Sequence, residues 1–423
     1  MRTTRRVAWG GLTFALIGAV LFPMGGDAVA AAPEAAAGVA ASGAALRISD
    51  GPADDLRPAV AYGTTAGRYL VVWEDWRKRY SRGWEIYGRL LRADGAPLGP
   101  AFRISGPVDL GDDRTPAVAW NAARGEFFVV WQGGGDIAGR RVAADGTLLG
   151  RQQIISLWDS EENSPALAWN AAENEYLVVW RDARYHGARG WEIYGRRVDA
   201  TGRPRGRELR LSGPACVSHD YAPAVVWNAL RDEYFVAWQG VEVFARRVAA
   251  NGARLGPTLR VNAPAAVLPE DGVAGLAWNS AADEYLVVWV DHRVAARSRL
   301  LGRRVAGDGA RLGRGTVLNG PAAEGPAQPA VLWDAGTNRY LLVWADDRFA
   351  GPPLTEIMAV ELNGDLTRAG TDARITGVGA TGWDLWPAPA RSADGAYLIV
   401  WQGERDSQET GRDIYGRPAA AGP

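Results

Sequence analysis

Apolar and polar positions along this chain fall into short bursts that recur at a nearly fixed interval. One clear copy, residues 116 to 131, reads P-A-V-A-W-N-A-A-R-G-E-F-F-V-V-W. Its second half is a continuous apolar run that closes on tryptophan, the signature of a strand buried on both faces. The closing residue recurs as Trp73, Trp131, Trp180, Trp238, Trp289, Trp344 and Trp401, seven copies spaced 49 to 58 residues apart. A period near fifty residues is that of propeller blades or another repeat array. The third unit holds four strand-like segments, at 165–169, 176–180, 192–198 and 208–211, rich in β-branched and aromatic residues. A turn signal separates the third and fourth segments of each unit: Asp94-Gly95, Asp145-Gly146, Thr201-Gly202, Asn251-Gly252, Asp308-Gly309 and Asn363-Gly364. These dipeptides predict two-residue hairpins with positive φ at both central positions. No segment sustains a helical period. The predicted fold is all-β, a seven-bladed β-propeller of four-stranded antiparallel blades.

The ends of the pattern predict how the ring closes. The last unit stops after its third strand, at 413–417, while residues 45–49 (A-L-R-I-S) match the fourth-strand segments at 102–105 and 209–212. An N-terminal strand completing the seventh blade removes an open sheet edge. Ahead of it, Arg2, Arg5 and Arg6 precede an apolar run over 7–24 and an Ala28-Val29-Ala30 cleavage pattern, which together read as a secretory signal. Gly10, Gly11, Gly18 and Pro23 interrupt that run and weigh against a membrane anchor, and no second apolar stretch of the mature chain could span a bilayer. The predicted organisation is a signal peptide at 1–30, a flexible leader at 31–44, the propeller at 45–417 and a disordered tail at 418–423, in a secreted, extracellular protein. The single cysteine, Cys216, allows no internal disulfide, so the core alone must hold the fold.

Composition narrows the partners. A net charge of −1 over 423 residues speaks against nucleic acid and anionic membranes, which call for a basic surface. The 19 tryptophans suit the widening wedge between neighbouring blades, so pairs such as Trp120 with Trp131 read as core. Catalytic patterns are thin. The three histidines, His186, His219 and His292, form no H-E-x-x-H, and there is no G-x-S-x-G elbow, no phosphate-binding glycine loop and no S-x-D-x-G-x-T-W box.

In an antiparallel four-stranded blade, the links from strand two to three and from blade to blade share one face. Here those links are the long, variable ones, and function on propellers gathers on such loops. Two patterns lie on that face. A carboxylate stands three residues before each first strand: Asp55, Asp113, Glu162, Asp220, Asp271 and Asp384, with Pro326 in the sixth blade. Such a ring would converge on the channel mouth as a polar cup or a cation site, for which Ca²⁺ is the suited ion; the alternative is that each acid caps a turn or meets a neighbouring arginine. The second pattern is Asp-x-Arg after the second strand: Asp75/Arg77, Asp182/Arg184, Asp291/Arg293 and Asp346/Arg348, replaced in blades two, four and seven by Gln132, Gln239 and Gln402 with glycine. These are guanidinium forks for carboxylate-bearing ligands or, alternatively, local ion pairs. Blades one and three share G-W-E-I-Y-G-R and carry basic, aromatic loops with Arg77, Tyr80, Arg184 and Tyr185, the candidates for a local binding patch.

The V-V-W-x-D-x-R and D-I-Y-G-R-R-V pattern, carried here by residues 178–184 and 192–198, resembles the repeats of secreted, largely uncharacterised bacterial β-propeller proteins. The resemblance implies export and a propeller and assigns no catalytic residue. Blade six departs from it, with Met358-Ala359-Val360 in place of Tyr-Gly-Arg. The functional expectation is a non-enzymatic binding module for a glycan or a protein surface. The alternatives are a carbohydrate hydrolase or lyase using carboxylates at the channel mouth, and a structural component of the cell envelope.

Overall fold

The computed structural model describes residues 38–77, 83–106, 111–156, 158, 160–213, 219–262, 275–292, 298–321, 325–348, 355–377, 382–404 and 411–422. Contacts divide the chain into residues 1–35 and 36–423. The signal peptide expected at 1–30, Tyr80, Cys216 and Asp271 lie outside the described residues.

Residues 36–423 form seven antiparallel blades. Blade three is representative, with strands Glu162–Asn170, Glu175–Asp182, Glu192–Asp199 and Pro204–Arg210 hydrogen-bonded in sequence order. First strands pack side by side around the axis, and that of blade seven (Leu385–Arg391) meets that of blade one (Asp55–Gly63), so the ring is closed. Leu46 and Arg47 pair with Gly416 and Tyr415, supplying the missing fourth strand of blade seven. The pairing reaches beyond the predicted boundaries: Ala40 and Ala41, in the expected leader, pair with Ala420 and Ala419, in the expected tail. Small side chains allow the two backbones to run on together as one more short ladder. No helix among the described residues is long and apolar enough to cross a membrane.

The apolar runs ending in tryptophan are the second strands, and their two faces serve two different neighbours. Tyr176, Val178 and Trp180 pack against Phe128 and Val130 of blade two, while Leu177 and Val179 pack against Tyr234, Val236 and Trp238 of blade four. Burial on both faces accounts for the lack of alternation in these strands.

The turns between third and fourth strands differ from expectation. At Asp94-Gly95, Arg92 and Ala96 close a three-residue loop through an Arg92 N–H to Ala96 carbonyl bond of 2.8 Å, and of the loop residues only Gly95 has positive φ, at 83°. This is a type I turn followed by a left-handed glycine. The Asp94 carboxylate accepts the Ala96 N–H at 2.9 Å, and the same bond recurs from Asp145 to Thr147 and from Asp308 to Ala310. In blade six the acceptor is Asp365, and the left-handed residue is Leu366 at φ 72° rather than Gly364. The side-chain acceptor, more than the glycine, sets the turn.

Burying a tryptophan at a wedge also buries its indole N–H, and in blades one, two, three, six and seven a carboxylate accepts it. Trp73 donates to Asp55 at 3.1 Å, Trp131 to Asp113 at 3.0 Å and Trp401 to Asp384 at 2.9 Å. Trp180 and Trp344 instead donate to Asp182 and Asp346 of their own strand, at 3.1 and 2.8 Å. The expected ring of open acids is therefore corrected: Asp55, Asp113, Glu162, Asp220 and Asp384 are buried inside the blades. The Asp-or-Gly alternation after the tryptophan has the same cause. A Cβ on Gly133 would stand 2.7 Å from Asp113 Oδ1, and one on Gly240 would stand 2.8 Å from Asp220 Oδ1. In blades two and four the glycine of the second strand leaves room for the first-strand acid, whereas blade one places Asp75 opposite Asp55. Gly133→Ala is accordingly expected to cost about 1–3 kcal/mol by overpacking a buried polar pair. An unchanged urea midpoint would show that the Asp113–Trp131 pair tolerates displacement.

Candidate functional site

The first strands begin on the long-loop face, and there the chain does something its periodicity does not announce. Arg57, Thr115, Ser164, Ala222, Gln328 and Trp386 all adopt left-handed backbone, with φ between 45° and 57°. Each immediately precedes a proline: Pro58, Pro116, Pro165, Pro223, Pro329 and Pro387. Strand pairing slips at each of these points, as between Leu56 and Ala59, so each is a bulge. Left-handed backbone on a residue with a side chain costs on the order of 1–2 kcal/mol, and the ring repeats it six times among the described residues.

Bonds across blade boundaries hold the bulges. Arg57 N–H donates to Gln402 Oε1 of blade seven at 2.9 Å, and Thr115 N–H donates to Glu74 Oε1 of blade one at 2.6 Å. In blade six, where Ala345 stands at the position of Gln402, Gln328 supplies the oxygen instead and accepts from Trp386 N–H at 2.7 Å. Blade three breaks the scheme. At the position of Glu74, Gln132, Gln239 and Gln402 stands Arg181, which has no acceptor to offer.

The six bulge residues and their prolines, with Arg181 and Tyr221, wall a cavity of about 610 Å³ at this mouth of the channel. Its size falls within the range of small-ligand sites. The backbone of the wall repeats, while the side chain shown by each blade differs. Arg57 lies over the Trp386 ring at 5.3 Å and pairs with Glu74 at 3.2 Å. Arg181 is sandwiched, 3.7 Å from the Trp191 ring centre and 4.4 Å from that of Tyr221. From there, rings continue to His186, and a separate pair of rings is exposed to solvent. His219 lies 5.9 Å from Tyr221, His186 lies 5.1 Å from His219, and exposed Tyr185 lies 6.4 Å from exposed Trp158. His219 Nδ1 accepts the Trp191 N–H at 3.3 Å, which places the proton of the neutral ring on Nε2. Burial, then His186 and Arg181, hold the His219 imidazole below its usual range. The opposite mouth is lined by Trp120, Trp169, Trp227, Trp278 and Trp333, so the first-strand tryptophans face the channel as well as the core.

The sequence-selected residues divide clearly. Arg77 bonds Asp75 at 2.7 Å, reaches Asp50 at 3.3 Å and covers the Tyr87 ring at 4.1 Å. Arg184 is buried between Asp182 at 2.5 Å and Glu208 at 2.7 Å. Arg348 likewise closes on Asp346 and Asp372, so these three guanidinium forks are occupied by the protein's own carboxylates, and Arg293 lies outside the described residues. Of the described residues of the candidate patch Tyr185 alone is exposed, with its ring beside Trp158, while Tyr80 and Asp271 lie outside the described residues. Asp55 and Glu162 are buried, and burial, with Asp75 and Asp182 respectively alongside, pushes each up to about 9. Among the described residues, no three His, Cys, Asp or Glu side chains gather as a metal site, and no carboxylate lines the cavity. Sequence reading missed Arg57, Arg181, Tyr221, Gln328 and Trp386. For Arg57, Gln328 and Trp386 the signal was the proline that follows each inside what reads as a central strand, which marks a bulge, whereas Arg181 and Tyr221 precede no proline.

No protein-family profile matches the chain, and no curated protein matches it in sequence. Solved structures share its fold. A protein of unknown function from Dyadobacter fermentans is similar with a TM-score of 0.50 at 12% identity, over 92% of this chain and 99% of that one. An α-L-arabinofuranosidase from Fusarium graminearum, in complex with an iminosugar inhibitor, is similar with a TM-score of 0.51 at 10% identity, over 89% of this chain and 97% of that one. At such identity the likeness extends to the propeller and no further.

Asp220 isolates the electrostatics of the buried acids. The Ser212 hydroxyl and Trp238 indole lie beside it without closing a hydrogen bond, Glu192 repels it, and burial above all pushes its carboxyl up to about 7. An unfolded aspartate titrates near 3.9, so the folded state retains a proton that the unfolded state gives up. The associated stability is intact below about pH 4 and is lost as the pH rises through about 7. Asp220→Asn should therefore be more stable than the parent by about 2–4 kcal/mol at pH 8, with the gap closing at pH 4. Denaturation midpoints at the two pH values check this, and a gap independent of pH refutes it.

Proposed function

We propose that this protein is an exported binding module that receives a glycan in the cavity at the long-loop mouth of its propeller. The observation that carries the reading is the composition of that wall. Trp386 and Tyr221 offer ring faces, Ser164 and Gln328 carry polar side chains on a locked backbone, rings continue from Tyr221 through His219 to His186, and Tyr185 and Trp158 form a separate exposed pair. Sugars present C–H faces that stack on rings and hydroxyls that need directional partners, so aromatic platforms beside a few fixed polar groups suit them. The rigid ring means that little ordering entropy is lost on binding. Export rests on the Arg-rich start, apolar run and small-residue cleavage pattern of the first thirty residues. Hydrolysis would require two carboxyl groups facing one bond, and the described walls of the cavity present ring faces, prolines and guanidinium groups instead.

A glycan-array screen of the mature protein, run with Ca²⁺ and with chelator, tests the reading. Binding is expected in both conditions. Trp386→Ala should weaken the strongest hits at least tenfold without lowering the melting temperature, because that ring lines the cavity rather than a blade core. No retained glycan, or hits indifferent to Trp386→Ala, would remove the cavity as the site.

A further inference from the structure

We infer that the sugar held at this mouth carries a carboxylate, a uronate residue, and that Arg181 is its anchor. The inference rests on the glycan-binding reading and specifies its ligand class. Arg181 occupies the second-strand position at which Glu74, Gln132, Gln239 and Gln402 stand in other blades. At that position Glu74 and Gln402 each accept a backbone N–H from the next blade. An arginine there gives up the bond that the architecture uses and places a cation in the wall of a cavity. Blades one and three share their G-W-E-I-Y-G-R segment, which makes Glu74 against Arg181 a reversal of charge within two copies of one design.

The surroundings show what this cation is left to do. Arg77 and Arg184 are each closed by acids of their own blades, and Arg57 has Glu74. Among the described residues Arg181 forms no ion pair, Glu161 acting on it only from farther off, and its Nε is buried without a hydrogen-bond partner. Its guanidinium lies over both Trp191 and Tyr221, so ring faces cover it and its in-plane N–H groups remain. An in-plane guanidinium edge matches the two oxygens of a carboxylate, and the stacked rings fix its orientation in advance. The adjoining rings suit the sugar that bears the carboxylate, and His219 Nε2–H adds a donor beside them. Glu74 neutralises Arg57, which leaves Arg181 as the cation of the described lining that has no ion pair.

The repeat supplies its own control, since Arg181→Gln installs the residue of blades two, four and seven and restores an acceptor for the neighbouring bulge. Titration calorimetry would compare oligogalacturonate, alginate and chondroitin oligosaccharides with the same oligosaccharides after reduction of their carboxyl groups to alcohols. At least one uronate is expected to bind tenfold or more tightly than its reduced counterpart, and Arg181→Gln should abolish that preference at an unchanged or raised melting temperature. Equal binding of both forms, or a preference that survives Arg181→Gln, overturns the inference. Binding of neutral glycans alone overturns it while leaving the glycan reading in place; no glycan binding of any kind overturns both.

Discussion

The ring depends on burying the second strand of every blade on both faces. That demand selects continuous apolar runs, brings large flat side chains into the wedges and takes an indole N–H out of reach of water. A buried donor left unmatched costs about 1–3 kcal/mol, so the first or second strand must place a carboxylate beside it. Asp55, Asp113 and Asp384 do so from the first strand, and Asp182 and Asp346 do so from the second. The glycines after Trp131, Trp238 and Trp401 follow from the same geometry, as does the tolerance of Pro326 in blade six, whose acid sits on the other strand. Blades one and three hold an acid at both places, and the arginine that follows closes on the second-strand acid, Arg77 on Asp75 and Arg184 on Asp182 and Glu208, as Arg348 does on Asp346 in blade six.

This constraint explains how legible the chain was. The seven blades, their strand order and the closure by the N-terminal strand could be read from periodicity, because burial acts on every copy alike. The acids were legible as a ring of equivalent positions but not in their direction, since a one-dimensional pattern does not say whether Asp113 turns to the channel or to Trp131. The same limit applied to the Asp-Gly turns. Both residues of Asp94-Gly95 were visible, but the bond from Ala96 N–H to the Asp94 carboxylate decides which of them takes positive φ. Arg181 and Tyr221 were hidden for a different reason. They interrupt the repeat, and a reading that aligns copies treats departures as noise.

The bulges connect architecture to the candidate site. A strand running straight to the mouth would present the same alternation in each blade and leave the channel rim uniform. The left-handed residue before proline breaks that alternation and gives six blades, among the described residues, one rim position whose side chain is free of the sheet's demands. Arg57, Thr115, Ser164, Ala222, Gln328 and Trp386 have nothing in common beyond their backbone. Strain of this kind persists where its surroundings over-determine it, and here the cross-blade bonds from Gln402, Glu74 and Gln328 do so. The fold thus separates a rigid, repeated frame from a variable set of displayed groups.

Within that frame, the contrast between blades one and three shows how a repeat protein can acquire a site without disturbing its core. Glu74 accepts the Thr115 N–H and neutralises Arg57, with Arg114 at 4.0 Å, so the wall of blade one is electrically closed. In blade three the corresponding residue is Arg181, and Tyr221 stands where blade two has Arg114. Exchanging an acid for a cation and a cation for a ring turns a self-satisfied ion network into a stacked guanidinium with open in-plane donors. Neither change touches the tryptophan–carboxylate pairs that hold the blades, since Trp180 still donates to Asp182. The exchange has chemical consequences because that end of the strand lines the cavity.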